Sequence, residues 1–259
     1  MSRFVNLELG GEAEELHHSE QSPTLKDEAY YLAEAQAAFQ SGRFEPALRA
    51  YSKVLEFNPE NAIAWGAQVR MLIELGEFRE ARVWADKALD RFPDHAELLA
   101  AKAVALGRIG DLDAAMAFSD AAMEQQGDTP YVWLARADVL LARKESRADY
   151  CIEKALLLAP RDWFIAWLAA RIRFYYRQFI LALNLFRQAA EWNPGNFTLW
   201  LDLGSCQRSL GMVGAAETSF GHALALNPQC SAADQGLAAL SETNSFSRLV
   251  GQIKQWFHR

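Results

Sequence analysis

The chain has 259 residues, 51% of them hydrophobic, and a net charge of -7 at pH 7. That is enough length and apolar surface for a continuous core, and the acidic balance argues against general nucleic-acid binding, which needs a basic footprint to neutralise phosphates. Its three cysteines, Cys151, Cys206 and Cys230, are odd in number and lack CxxC spacing, so neither a disulfide framework nor a zinc site is supported, and reduced thiols in a cytoplasmic setting are expected.

Residues 1–25 read as an acidic tail. They hold Gly10-Gly11, one arginine against five glutamates, and Ser22-Pro23, with no sustained helical period. No apolar h-region marks a secretory signal. Val5, Leu7 and Leu9 alternate with Asn6 and Glu8 before the acidic run. Two readings stay open for this segment. One is a solvated tail. The other is an extended strand lying in an arginine-containing groove, either of this chain as an autoinhibitor or of another protein.

From residue 26 the pattern is helix–turn–helix. The first helix runs to Gln40, and Ser41-Gly42 makes the turn, since glycine accepts the left-handed conformation that ends a helix. Pro46 falls in the first turn of the second helix, and Asn58-Pro59 stops it. The unit then recurs. Ala47, Ala81, Ala115, Ala148, Ala182 and Ala216 are spaced by 34, 34, 33, 34 and 34 residues. Val54, Ala88, Ala122, Ala155, Ala189 and Ala223 follow seven residues later, and Pro59, Pro93, Gly127, Pro160, Pro194 and Pro228 close the units. Six units over residues 26–228 predict an all-α solenoid that builds a binding surface rather than a catalytic pocket.

Two units depart from the pattern. The fourth has lost one residue at its inner turn, ARKESRADY, which has no glycine; Glu145 stands where other units have Phe44, Phe78 or Phe179, and a solvated, irregular turn is expected. In the fifth, Trp167 keeps the 34-residue spacing from Trp133, but Arg171 then falls where a small residue belongs and Ala170 suits better, so the register of that helix is open by one residue. The most apolar stretch, Trp163 to Phe186, is interrupted by Arg171, Arg173 and Arg177 and makes a poor membrane span. Residues 229–259 are expected to form a capping helix and then a basic amphipathic segment with Phe246, Leu249, Val250, Ile253 and Phe257 at helical spacing. A capping role, a partner-docking helix and weak membrane-surface attachment are the readings for that segment, in that order.

These features resemble the tetratricopeptide repeat. Its pattern, W-x2-L-G-x2-Y, A-x3-F, then P, is best matched in the sixth unit by Trp200, Leu203, Gly204, Ala216, Phe220 and Pro228, with Gln207 in place of the aromatic. The aromatic position holds Tyr31, Trp65, Leu99, Trp133, Trp167 and Trp200. The resemblance implies a right-handed superhelix of about six repeats with C-terminal capping helices and a concave groove lined by the first helix of each unit. It implies groove positions at Gln36 and Phe39, Arg70 and Glu74, Arg108, Leu134 and Asp138 with Tyr131 nearby, Ile172, Tyr175 and Tyr176, and Leu201, Ser205 and Arg208. The Lys/Asn/Arg clamp by which one subgroup grips chaperone C-termini is absent, because the matching positions include Leu32, Gln36, Ala67, Glu97 and Ala101.

No GxSxG, GxxxxGKS, HExxH or Gly-rich nucleotide loop occurs, and His17, His18, His95, His222 and His258 show no metal-ligand spacing beyond the adjacent pair in the tail. No cofactor, metal or enzyme activity is expected. Residues 130–190 are locally basic, with ten Arg or Lys against five Asp or Glu, and rich in aromatics, which suits an acidic or mixed-charge protein partner; the alternative is solvated arginines over a structural core. The expected function is a non-catalytic scaffold or adaptor that binds a protein or peptide segment in its groove. A structural subunit of an assembly or homo-oligomer and a regulatory subunit of an enzyme complex are the alternatives, with RNA binding a remote fourth.

Overall fold

The computed structural model describes residues 26–125 and 127–242. The acidic tail, the amphipathic C-terminal segment, and with them His17, His18 and His258, lie outside the described residues. Among the described residues there are thirteen helices and no strand. They pair as α1 Glu28–Gln40 with α2 Phe44–Phe57, α3 Ala62–Glu74 with α4 Phe78–Arg91, and α5 Ala96–Ile109 with α6 Leu112–Glu124. The series continues with α7 Pro130–Ala142 and α8 Ala148–Leu158, α9 Trp163–Tyr175 and α10 Phe179–Trp192, and α11 Phe197–Ser209 and α12 Val213–Leu226, followed by α13 over 231–242. This is an all-α helical repeat solenoid.

The start of each repeat is set by one polar side chain. Asp27, Asn61, His95, Thr129, Asp162 and Asn196 each accept a backbone N–H from the first turn of the helix that follows. Each satisfies a donor that the helix cannot, worth about 1 kcal/mol. The caps are 34 residues apart except for Thr129 to Asp162, which are 33 apart. Counting from the cap gives a frame for every other position.

Fifteen residues after each cap the backbone turns left-handed. The residue there is Gly42, Gly76, Gly110, Lys144, Arg177 or Gly211, with φ between 60° and 94°. The fourth unit therefore keeps the same inner turn as its neighbours, with Lys144 in place of glycine, rather than an irregular one. Ala148 follows its cap by 19 residues where the other alanines of its series follow by 20. The lost residue thus falls after the turn, and α8 begins late at Ala148. Glu145 seals the gap by accepting from Arg143 Nε at 2.8 Å and from Arg147. These hydrogen bonds, Arg143's first, hold the Glu145 carboxyl below the usual carboxylate range.

The same frame corrects the fifth unit. The aromatic position lies four residues after the cap: Tyr31, Trp65, Leu99, Trp133, Ala166 and Trp200. Trp167 is one residue too late for it. The one-residue deletion lies between Trp133 and Asp162, so a 34-residue count from Trp133 overshoots. Ala170 takes the small position, and Trp167 and Arg171 move to the face five and nine residues after the cap.

Every alanine of the first series and every member of the second is fully buried. A larger side chain there would force neighbouring helices apart. The chain forms two compact units, divided between Cys151 and Ile152. In the first, each helix packs on the next through α1 to α7, and α3 also packs on α5 and α5 on α7, so the leading helices form one layer. Polar contacts tie successive repeats. Gln68 donates to Ser52 at 2.9 Å, Lys102 pairs with Asp86 at 2.6 Å, and Arg136 pairs with Asp120 at 2.7 Å, each joining a leading helix to the trailing helix before it.

In the second unit α9 packs on α10, α10 on α11 and α11 on α12, with α9 also touching α11. Phe220 fills the space between α11 and α13. A Cβ at Gly204 would stand 2.8 Å from its ring and one at Gly236 2.7 Å, so both positions require glycine for the helices to approach this closely. Ala233 and Leu240 of α13 join Ala216, Phe220 and Ala223 in one apolar cluster. The three cysteines are free and buried.

Candidate functional site

In the first unit the groove positions come from the layer formed by α1, α3, α5 and α7. Nine residues after the cap stand Gln36, Arg70, Val104 and Asp138; thirteen after it stand Gln40, Glu74, Arg108 and Ala142. The structure brings five of the expected site residues into two contacting groups, while Gln36 is exposed on the same face.

The first group is an arginine between two rings. The Arg70 guanidinium carbon lies 3.8 Å from the centroid of Tyr131 and 5.2 Å from that of Phe39. Three repeats thus meet at one side chain. Flat stacking of a guanidinium on aromatic faces is worth roughly 0.5–2 kcal/mol, more as water is excluded. Arg70 makes no ion pair with any described residue. Burial pushes the Tyr131 hydroxyl well above its ordinary range; Arg70 opposes the shift, and Glu97, Glu74 and Asp138 add to it. Burial likewise raises Tyr51, again opposed by Arg70.

The second group is the pair Arg108–Asp138. Arg108 Nε donates to Asp138 Oδ1 at 2.9 Å and Nη2 donates to Oδ2 at 2.5 Å, a two-pronged geometry that matches the planar fork to the carboxylate. The side chains are 8% and 2% exposed. Arg108 also lies 5.9 Å from the Phe78 centroid. Both residues sit at groove positions, and they hydrogen-bond each other. Beside them Thr129 donates to Glu97 at 3.1 Å.

In the second unit the groove positions are Trp167, Arg171 and Tyr175 of α9 and Leu201, Ser205 and Arg208 of α11. Trp167 Nε1 donates to Asp202 Oδ2 at 2.8 Å, and Arg171 Nη1 donates to the same oxygen at 3.0 Å while lying over the Trp167 ring. The sequence alone leaves the register of α9 open by one residue, and Arg171 and Asp202 are not among the groove positions that the resemblance implies. The signal that finds them is Asp162, whose cap sets the register of α9. Tyr175 is exposed and meets Tyr176 edge-on at 5.0 Å, and Arg208 is exposed. Ile172 is half-buried.

Four of the ten cations of residues 130–190 are paired with carboxylates. Arg136 is held by Asp120, Arg143 and Arg147 by Glu145, Arg171 by Asp202, and the buried Arg173 donates to Gln178. Among the described residues no cluster of three or more His, Cys, Asp or Glu side chains could hold a metal ion, and no helix is long and apolar enough to cross a membrane.

Three stretches of the chain, residues 38–103, 72–139 and 176–240, match the family model for the tetratricopeptide repeat. No curated protein matches. Among solved structures, the chain is similar to a tetratricopeptide repeat protein from Parabacteroides merdae ATCC 43184, with a TM-score of 0.54 and 16% identity over 85% of this chain and 86% of that one. It is also similar to TTC0263, a thermophilic tetratricopeptide repeat protein of Thermus thermophilus, with a TM-score of 0.53 and 21% identity over 69% of this chain and 98% of that one. The APC/C hetero-tetramer Cut9-Hcn1 gives a TM-score of 0.49 and 17% identity over 86% of this chain, which spans 51% of the length of that one.

Proposed function

Because the chain belongs to the tetratricopeptide repeat family, we propose that it is a non-catalytic scaffold or adaptor that takes a protein or peptide segment on the face formed by its leading helices. The observation that carries this reading is the convergence of Phe39, Arg70 and Tyr131, from three repeats, on one side of the helical layer. Aromatic and arginine side chains held rigid in this way lose little freedom when a ligand arrives, which is the chemistry of interface anchors. The second unit offers Tyr175 and Arg208 on its own leading helices.

The ligand is an extended segment with apolar anchors and acidic or mixed charge. Buried free thiols suit a reducing compartment, and we place the interaction in the cytoplasm. The test is affinity capture from native extract with the wild type, Arg70→Gln, and Tyr175→Ser/Arg208→Glu. Arg108 is left alone, because its loss would break the buried ion pair with Asp138. A partner held by the wild type and lost by either variant, with unchanged helical content, supports the groove. Equal retention by all three overturns it.

A further inference from the structure

We propose that the outer face of α10 is a second docking surface, taken by an acidic amphipathic helix of another protein. This goes beyond the groove reading and does not rest on it, because α10 is a trailing helix and the groove is formed by leading ones.

The first observation is an apolar pair on the face that a trailing helix turns to water. α10 buries Ala182, Leu183, Phe186, Ala189 and Ala190. Its opposite face carries Ile180, Leu181, Asn184, Arg187 and Gln188, all exposed. Ile180 is 69% exposed and Leu181 45%. The trailing helices α2, α4, α6 and α8 hold Glu45, Glu80, Asp113 and Asp149 in their first turns, whereas α10 has no acidic residue there. Exposed aliphatic side chains are ordinary on any surface, so it is the charge around this pair that singles it out.

The second observation is that charge. Arg177, in the turn just before α10, and Arg187, two turns after Ile180, are exposed and form no ion pair among the described residues. α10 packs on α9 and α11. Over those three helices and the turns between them, residues 163–209, five arginines stand against Glu191 and Asp202. Asp202 is held by Trp167 and Arg171. Glu191 lies in the last turn of α10, four residues after Arg187, which is the poorer order for a helical pair. From Arg177 to Ala190 the chain has no carboxylate.

These two features define the occupant. Ile180 and Arg187 lie seven residues apart, ~10 Å along the helix axis. A helix lying along α10 repeats at the same spacing, so one that sets large apolar side chains on Ile180 and Leu181 can set acidic ones on Arg177 and Arg187. A second copy of this chain on the same face would bring arginine against arginine, which disfavours it. Two cations and two aliphatic side chains give an anionic membrane only a weak hold without a second anchor.

The test uses the full chain and a fluorescein-labelled designed peptide helix, with leucine on one face and glutamate on the other, read by anisotropy. Saturable binding is expected at low salt and should weaken as salt rises. Ile180→Ser/Leu181→Ser and, separately, Arg177→Gln/Arg187→Gln are each expected to bind the peptide roughly ten-fold more weakly with unchanged helical content, since these side chains are exposed. A peptide with glutamine in place of glutamate is expected to lose as much on the wild type, which tests carboxylate recognition without touching the fold. Absence of saturable binding, undiminished binding by either variant, or undiminished binding of the glutamine peptide overturns the proposal. Self-association, or attachment to phosphatidylserine vesicles, that Ile180→Ser/Leu181→Ser abolishes would make the occupant a second copy or a membrane and also overturns it. Affinity capture through the groove is expected to persist in Ile180→Ser/Leu181→Ser, so the two readings fail separately. Peptide binding lost in Arg70→Gln or Tyr175→Ser/Arg208→Glu but kept in both α10 variants would place the peptide in the groove and overturn this proposal alone.

Discussion

Removing Arg108 tests whether it serves the fold or the ligand. In Arg108→Met the Asp138 carboxylate loses both prongs of its hydrogen-bonded partner while only 2% of its side chain is exposed. At about 4 Å and an effective dielectric near 20, two unit charges attract by ~4 kcal/mol, and breaking a buried pair from one side generally costs about 3–5 kcal/mol. Asp138→Asn removes the charge that faces the buried arginine and is expected to cost about as much. The double variant Arg108→Met/Asp138→Leu removes both charges together and is expected to recover most of the loss, since a matched apolar replacement of a buried pair is often neutral. Urea unfolding at 25 °C, followed by far-ultraviolet circular dichroism, measures all four corners of the cycle. The prediction is a coupling of at least ~2 kcal/mol. If Arg108→Met stays within ~0.5 kcal/mol of the wild type, the pair is not a structural element, and Arg108 becomes a candidate ligand contact again.

Other outcomes follow from the same geometry. Lys144→Gly and Arg177→Gly relieve left-handed backbone at non-glycine residues and are each expected to raise stability by about 1 kcal/mol, whereas Gly42→Ala loses a similar amount, all read from urea midpoints. Gly204→Ala drives a methyl into the Phe220 ring and is expected to cost ~1–3 kcal/mol; Phe220→Ala leaves a cavity and costs ~3–5 kcal/mol. Ala182→Trp, at a fully buried position, is expected to lower the melting temperature sharply, and an unchanged melt would refute the packing account. Burial, with a further push from Asp202, raises the Cys206 thiol from its ordinary 9.0 to about 11. Its neutral form is favoured by folding, so the stability it contributes is intact below pH 9 and is lost as pH rises through about 11. The difference in urea midpoint between the wild type and Cys206→Ala should change across that window and stay constant below it.

How much was visible beforehand depends on the kind of signal. The alanine and proline files are local and periodic, so they carried the fold, and even the missing residue of the fourth unit shows as one short interval. The fifth register stays open in the sequence because Trp167 matches another tryptophan in spacing while Ala170 suits the small position better. A cap is the better ruler, since Asp162 fixes where α9 begins whatever follows it. The turns at Lys144 and Arg177 were hidden for a different reason: glycine is the usual sign of left-handed backbone, and tertiary packing imposed it here without one. The stack of Phe39, Arg70 and Tyr131 lay beyond sequence reading altogether. Its members were all singled out for the groove, but their meeting spans three repeats and depends on how the first unit curves.

The contacts that tie successive repeats in the first unit have a consequence for the order of the units. The three links differ in kind: hydroxyl with amide at Ser52–Gln68, carboxylate with ammonium at Asp86–Lys102, and carboxylate with guanidinium at Asp120–Arg136. Each partly exposed charge pair contributes under ~1 kcal/mol alone. Exchanging the second and third repeats would set Ser52 against Lys102 and Asp120 against Gln68, leaving one cation and one carboxylate facing neutral groups. The alanine files would fit either arrangement equally well. The polar links work instead as a key between each unit and its neighbour, so repeats that look interchangeable in outline are written to be stacked in a single sequence.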